Sequence, residues 1–370
     1  MKSKRELLNR VKRIVIKLGS QTIGSDNGID EEFIKNLAKQ IRILKEQGKE
    51  VLIVSSGAVL AGLIKLGQKE KPKTITEKQA LASVGQAYLI QIYDKIFSEN
   101  GLYIGQILLT IEGLRERKRY ILAQNTINKL LEMGIVPIIN ENDTVGVEEI
   151  LFGDNDFLSA HVSVLANANL LIILSTAGGL YTGEPNSPNS ELIKEIKNID
   201  DVISFAKSSK SKYGSGGMRS KLEASRIATS HGIPVVIAPK RENVILSILN
   251  GEEVGSFIYP YKTQIQSKKK SWLKLLSEPK GRIFIDDGAV KALRNGKSLL
   301  PAGIREVEGI FNKKDVVAIL NEDGEIIGKG IVNYTKEELK RIKGLKSKEV
   351  EALLGKSTEA VHRDDLILLD

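Results

Sequence analysis

The sequence predicts an α/β chain in which helices sandwich a largely parallel sheet, followed by a small, mostly β domain. Three observations carry that expectation. Short β-branched apolar runs alternate with amphipathic segments over the first 260 residues, several of those segments stop at a glycine, and past a lysine-rich break the elements shorten and become strand-rich. The runs at 11–18, 50–54, 103–109, 136–140, 170–174 and 235–238 are apolar on both faces, as strands covered on two sides must be. Segments 31–47, 77–100, 120–133, 157–166 and 218–231 repeat with helical period, and Gly48, Gly101, Gly134 and Gly232 stand where a left-handed C-cap belongs. Such alternation places ligands at the carboxyl ends of the strands. The run Ser-Lys-Lys-Lys-Ser at 267–271 reads as part of a linker over 261–277. Beyond it, 281–286, 316–320 and 326–332 read as strands and 289–294 and 336–342 as short helices. The expected division is therefore 1–260, a linker, a second domain at 278–358 and a tail at 359–370.

A chain of 370 residues exceeds one compact core and suits two domains. Its 41% hydrophobic and 27% charged content is ordinary for a globular protein. No apolar run reaches the ~18 residues of a membrane span, and the charged start lacks a secretory pattern. With no cysteine, disulfides, thiolate metal sites and cysteine nucleophiles are excluded. The expected location is cytoplasmic, with no membrane partner. The formal charge is +9, and residues 261–370 hold 22 Lys and Arg against 17 Asp and Glu. That surplus permits nucleic-acid contact without requiring it, because a lysine-rich solvated surface gives the same count.

The chemistry gathers at strand ends. Lys17 closes an otherwise apolar run and precedes Leu18-Gly19-Ser20, which suits a phosphate site; the Walker A spacing is missing. Standing alone, Lys17 would read as an edge lysine extending to solvent. Ser55-Ser56-Gly57-Ala58 is a small-residue turn into a helix that suits either an anion or an ordinary serine cap. Asn140-Glu-Asn-Asp143 and Gly153-Asp-Asn155-Asp156 crowd acids and amides beside the same sheet, where an ammonium-bearing zwitterion could pair with them. Gly214–Lys221 opens a helix near Met218 with a glycine loop and puts Lys221 on its first turn; a mobile surface linker is the competing reading. The histidines show no metal-ligand spacing and no nucleophile elbow is present. The run 115–119 reads as a solvated basic helical face.

Together these motifs resemble the amino acid kinase family over residues 10–260, in its glutamate-phosphorylating branch, with a PUA domain over 278–358. Asn-Glu-Asn-Asp, Gly-Asp-Asn-Asp, Gly-Leu-Tyr-Thr at 179–182, Gly-Gly-Met-x-x-Lys and Val-His-Arg-Asp-Asp at 361–365 carry the resemblance. It implies that ATP phosphorylates the γ-carboxylate of L-glutamate, giving γ-glutamyl phosphate for proline synthesis. Lys17 and Lys221 would hold the transferred phosphoryl group and Asp156 would orient them. Ser56, Gly57, Asn140, Asp143 and Asn155 would hold glutamate. Lys17, Gly19, Ser175, Thr176, Ser215, Gly216, Gly217, Met218, Arg219, Ser220 and Lys221 would line the ATP site. Thr176 and Glu184 stand where the family carries aspartates, which alters the nucleotide contact. Mg²⁺ would arrive with ATP and no protein ligand is assigned to it. A homo-oligomer and feedback by proline belong to the same set of expectations. The alternatives are a kinase for N-acetylglutamate or aspartate, or an RNA-binding PUA protein, whose region here offers few aromatics for base stacking.

Overall fold

The computed structural model describes residues 2–25, 28–146, 155–185, 187–206, 217–261, 268–355 and 357–369. The chain divides into two units, Met1–Leu114 with Lys118–Ile265, and Arg115–Arg117 with Gln266–Asp370. The first holds β1 (Arg13–Leu18), a small hairpin β2 (Gly24–Ser25) and β3 (Gly28–Ile29), β4 (Glu50–Ser55), β5 (Ile104–Leu109) and β6 (Val136–Glu141). It continues with β7 (Leu170–Ser175), β8 (Glu195–Ile196), β9 (Val235–Pro239) and β10 (Ser256–Ile258). Eight of these described strands form one sheet in the order β5-β6-β4-β1-β7-β9-β10-β8. Every pairing is parallel except β9 with β10. This is the helix-covered, mostly parallel sheet that the sequence predicts.

Burial explains the strand choice. β6 and β7 are buried along their whole length, so aliphatic side chains fill most of them and the polar residues Asn140, Glu141 and Ser175 come only at their carboxyl ends. The covering helices include Glu31–Glu46, Ile75–Glu99, Arg117–Glu132, Asp156–Leu165 and Met218–Ser230. Gly48, Gly101, Gly134 and Gly232 follow four of these, with φ between 70° and 74° for the first three and 81° for the last. The apolar runs set the strand cores, and only the terminal residues shift.

The second unit holds β11 (Gly281–Ile285), β12 (Ile304–Gly309), β13 (Val316–Leu320), β14 (Ile326–Val332) and β15 (Val361–Leu368), ordered β12-β11-β13-β14-β15. It has its own core around Ile283, Ile319, Val332 and Tyr334. Part of the segment read as linker forms the helix Lys268–Leu275, with Trp272 and Leu273 buried. Most of the segment read as tail is strand β15, paired antiparallel to β14. Arg115 and Arg117, read as part of a solvated basic face, are half-buried: Arg115 pairs with Glu278 at 2.6 Å, and Arg117 lies 5.5 Å over the Trp272 ring. No described helix is long and apolar enough to cross a membrane.

Candidate active site

Four adjacent strands, in the order β6-β4-β1-β7, bring the expected residues to one edge of the sheet. β6 contains Asn140 and is followed shortly by Asp143; β4 ends at Ser55 before Ser56 and Gly57; β7 ends at Ser175 before Thr176. Lys17 lies next to last in β1, level with Val54 on one side and Ile173 on the other. With a strand spacing of roughly 4.8 Å, the ends of β6 and β7 stand about 14 Å apart and Lys17 falls between them.

Lys17 is fully buried, and its Nζ lies 2.8 Å from Asp156 Oδ1. Lys221 Nζ approaches the other oxygen, Oδ2, at 3.1 Å. Ser220 Oγ adds a contact to Oδ2 at 2.9 Å. An isolated buried ammonium costs several kcal/mol, so the carboxylate between the two lysines is what permits them there. Burial pushes the Asp156 carboxyl up, but the charges of Lys17 and Lys221 outweigh it and bring the value down to about 2. Two ammonium groups on one carboxylate leave one net positive charge facing the same point, a ready receptor for an anion.

The helices that carry these residues pack against each other. Both bury several small residues, Ser159, Ala160 and Ser163 on one and Ala224, Ser225 and Ala228 on the other. Asp156 opens one helix and Lys221 lies in the first turn of the other. Neither these two helices nor Ala58–Lys65 has a side-chain cap on its first N–H groups. The helices Glu31–Glu46, Ile75–Glu99 and Lys336–Ile342 are all capped by side chains. Uncapped starts at the sheet edge keep positive dipole ends available to an anion. Gly57 adopts φ 104°, and a Cβ there would fall 2.3 Å from Ile23 Cδ1, so glycine is required. Gly19 differs from expectation: at φ −80°, ψ 163° it is extended and needs no glycine-only conformation.

On the β6 side, Asn155 Nδ2 donates to Asn140 Oδ1 at 2.6 Å and to the Ser55 carbonyl at 3.0 Å. Asn140 Oδ1 also accepts from the Glu141 N–H at 2.8 Å, while its Nδ2 donates to Gln86 Oε1 at 2.7 Å. Ser55 Oγ lies 2.9 Å from the buried Tyr93 hydroxyl. Asp143 is buried too, and burial pushes its carboxyl up to about 6. On the β7 side, Thr176 Oγ1 donates to Gln21 Oε1 at 3.2 Å and Thr22 Oγ1 to the Leu174 carbonyl at 3.1 Å. These bonds fasten the segment after Gly19 to the end of β7. Gly217, Met218, Arg219 and Ser220 lead into Lys221 at the helix start, whereas Ser215 and Gly216 lie outside the described residues.

Sequence reasoning marked Ser55 only as part of a small-residue turn and missed Gln86, Tyr93, Gln21 and Thr22. Gln86 and Tyr93 sit in an ordinary amphipathic helix, and only their spacing of two helical turns hints that they share a face. Among the described residues, no group of three or more His, Asp or Glu could hold a metal ion. Both Asp156 oxygens are already met by ammonium groups, so the residues present suit a divalent ion carried on phosphates rather than one caged by protein.

The sequence profile of the amino acid kinase family matches residues 12–239, and that of the PUA domain matches 281–354. Among curated relatives, the glutamate 5-kinase of Aquifex aeolicus is 50% identical over 360 residues, covering 96% of this chain and 99% of that protein. The glutamate 5-kinase of Thermus thermophilus is 45% identical, covering 96% of this chain and 97% of its own. That of Carboxydothermus hydrogenoformans is also 45% identical, covering 99% and 100%. With its profile match running from β1 through β9 and including the strand and the two helices that bear the buried lysine–aspartate–lysine cluster, the chain belongs to the amino acid kinase family.

Proposed function

We propose that the chain transfers the γ-phosphoryl group of ATP to the γ-carboxylate of L-glutamate, forming γ-glutamyl phosphate and ADP, the entry step of proline biosynthesis. The observation that carries this reading is the pair of lysines, distant in sequence, held on the two oxygens of Asp156. Relatives named glutamate 5-kinase over nearly the whole chain support the substrate.

A glutamate γ-carboxylate, with an ordinary pKa of ~4.3, is ionised at neutral pH and needs no general base. One of its oxygens attacks the γ-phosphorus while the bond to the β,γ-bridging oxygen breaks, and ADP leaves with that electron pair. No proton moves. The obstacle is bringing two anions into line, so catalysis comes from positioning and fixed positive charge. Lys17 and Lys221 meet the equatorial oxygens of the transferring group, and Asp156 holds both ammoniums in place before substrate arrives. Ser56, Gly57, Asn140, Asp143 and Asn155 hold glutamate on the β6–β4 side. Gly19, Ser175, Thr176 and the segment from 215 to Ser220 hold nucleotide on the β7 side. The sheet order supports that division, because β1 with Lys17 lies between the two groups of strands. Magnesium, bound to the ATP phosphates, would neutralise part of their charge.

Two features favour a free amino acid over an acetylated one. Asp143 is a buried carboxylate, and Asn155 Oδ1 is buried with no hydrogen-bond donor among the described residues. Both are acceptors suited to an ammonium, which N-acetylglutamate lacks. A cytoplasmic location, a homo-oligomer and inhibition by proline belong to the same reading and rest on the family resemblance. The test is incubation with ATP, Mg²⁺ and hydroxylamine, offering glutamate, N-acetylglutamate or aspartate in turn. Hydroxylamine traps an acyl phosphate as a coloured hydroxamate. Colour with glutamate alone is expected; colour mainly with another acid would overturn the substrate assignment.

A further inference from the structure

We infer that Gln86 is a positioning residue for recognition of the substrate's ammonium group, acting through Asn140 on Asn155. The inference rests on the reading above and adds a residue that lies outside both the strand ends and the glycine loops.

Asn155 occupies the N-cap of the helix Asp156–Leu165, where an asparagine ordinarily turns its carbonyl oxygen back onto the helix N–H groups. Here it makes no such bond. Both hydrogens on Nδ2 are spent, one on Asn140 Oδ1 and one on the Ser55 carbonyl. The carbonyl oxygen must point away from those two partners, and it is buried without a donor among the described residues. A buried acceptor left unsatisfied is a standing cost to the fold, which a bound ammonium would relieve.

What keeps Asn155 in this orientation is the amide of Asn140. A backbone N–H, that of Glu141, fixes Asn140 Oδ1, so its Nδ2 must face the other way. There it meets Gln86 Oε1 at 2.7 Å. Gln86 comes from the helix Ile75–Glu99, which reaches β6 through Gln86 and β4 through Tyr93. The carbonyl of Gln86 therefore sets Asn140, and Asn140 sets which end of Asn155 is presented. Removing that carbonyl leaves the Glu141 N–H to hold the Asn140 amide without its second anchor, which lets Asn155 relax toward its helix cap and withdraw the acceptor.

The experiment compares glutamate with glutarate, the same dicarboxylate without the amino group. In the full chain, the hydroxamate assay gives KM for glutamate, and competition gives the inhibition constant for glutarate. Gln86→Leu should raise the glutamate KM about tenfold while kcat and the KM for ATP stay unchanged. The glutarate constant should move less than about twofold, because glutarate has nothing to offer Asn155. Gln86→Glu retains an oxygen for Asn140 Nδ2 and should keep the glutamate preference. If Gln86→Leu is not recovered folded, Gln86→Ala reads the same ratio with less added bulk. Parallel loss of both ligands, or preference lost in Gln86→Glu as in Gln86→Leu, overturns the inference. Wild-type chain that forms no hydroxamate from glutamate overturns the functional reading and this inference together. Wild-type activity with an unchanged preference in Gln86→Leu overturns the role of Gln86 alone.

Discussion

Asp156 and Asp143 are both buried carboxylates, and their surroundings drive their acidities in opposite directions. Burial raises each, but two ammonium groups more than reverse the effect at Asp156, bringing it to about 2. Asp143 has no such compensation and rises to about 6. Asp156 is therefore charged throughout the working range, whereas Asp143 is poised to respond to a bound cation. The sign follows directly. A carboxyl raised from 3.8 to about 6 favours the folded state below the unfolded value, and that contribution is lost as pH rises through the folded value. A substrate ammonium beside the ionised carboxylate reverses the loss. Glutamate affinity should thus improve by about tenfold between pH 5 and 7 and level off above, since the ionised fraction of a group titrating near 6 changes that much. The γ-carboxylate of glutamate titrates below this window and does not confuse it. The glutamate KM across that range at saturating ATP is the measurement, and Asp143→Asn should flatten the curve. A wild-type profile already flat would remove Asp143 from contact with the ammonium.

One helix, Ile75–Glu99, supports much of the acid side of the site. Gln86 reaches Asn140 and Tyr93 reaches Ser55, two turns apart on one face. Between them and the Gly57 turn lies Gly85, whose absent side chain allows the helix Ala58–Lys65 to lie directly on the long helix. A Cβ at Gly85 would fall 1.8 Å from the Ala58 carbonyl oxygen and 2.2 Å from the Gly62 nitrogen, both backbone. Gly85→Ala must push the two helices apart, costing about 1–3 kcal/mol. It should also displace the Gly57 turn, and a shift near 1 Å at a positioning element lowers turnover by about a hundredfold. A thermal melt and the hydroxamate rate check this together; wild-type values in both would mean the helices have slack the contact distances deny. The long helix itself was legible over 77–100 from its period, although its Thr74–Glu77 capping box, which starts it at Ile75, was not read. Its role was not, since Gln86 and Asn140 are separated by 54 residues and nothing local marks them as partners. The same contrast runs through the strands. β6 and β7 announce themselves as continuous apolar runs, while β12 buries only every third residue and β8 is two residues long, so neither shows a period. The lysine–aspartate–lysine cluster was legible as residues and became a site only when adjacent strands and two close-packed helices brought them together.

At the scale of the molecule, the two units have separate cores, one around β1, β4 and the helices that cover them, the other around β11, β13 and β14. Every residue placed in the site belongs to the first unit. The chain's single tryptophan, Trp272, is buried in the second. That placement makes it a selective reporter, because its fluorescence follows the unfolding of a unit that binds no substrate in the proposed reaction. Ligands that bind only the native first unit stabilise it by mass action, by about 2.7 kcal/mol at a hundred times the dissociation constant. For a unit of this size that corresponds to a rise of roughly 5–10 °C in its transition. Glutamate with a non-hydrolysable ATP analogue should therefore raise the far-UV circular dichroism transition by that amount and leave the tryptophan transition within about 1 °C of its unliganded position. Independent cores predict this split, and two-state behaviour across the whole chain is not expected of them. If the tryptophan transition climbs in step with the dichroism, the second unit shares the binding energy of the first, and it must then be treated as part of the catalytic machine rather than as a domain appended to it.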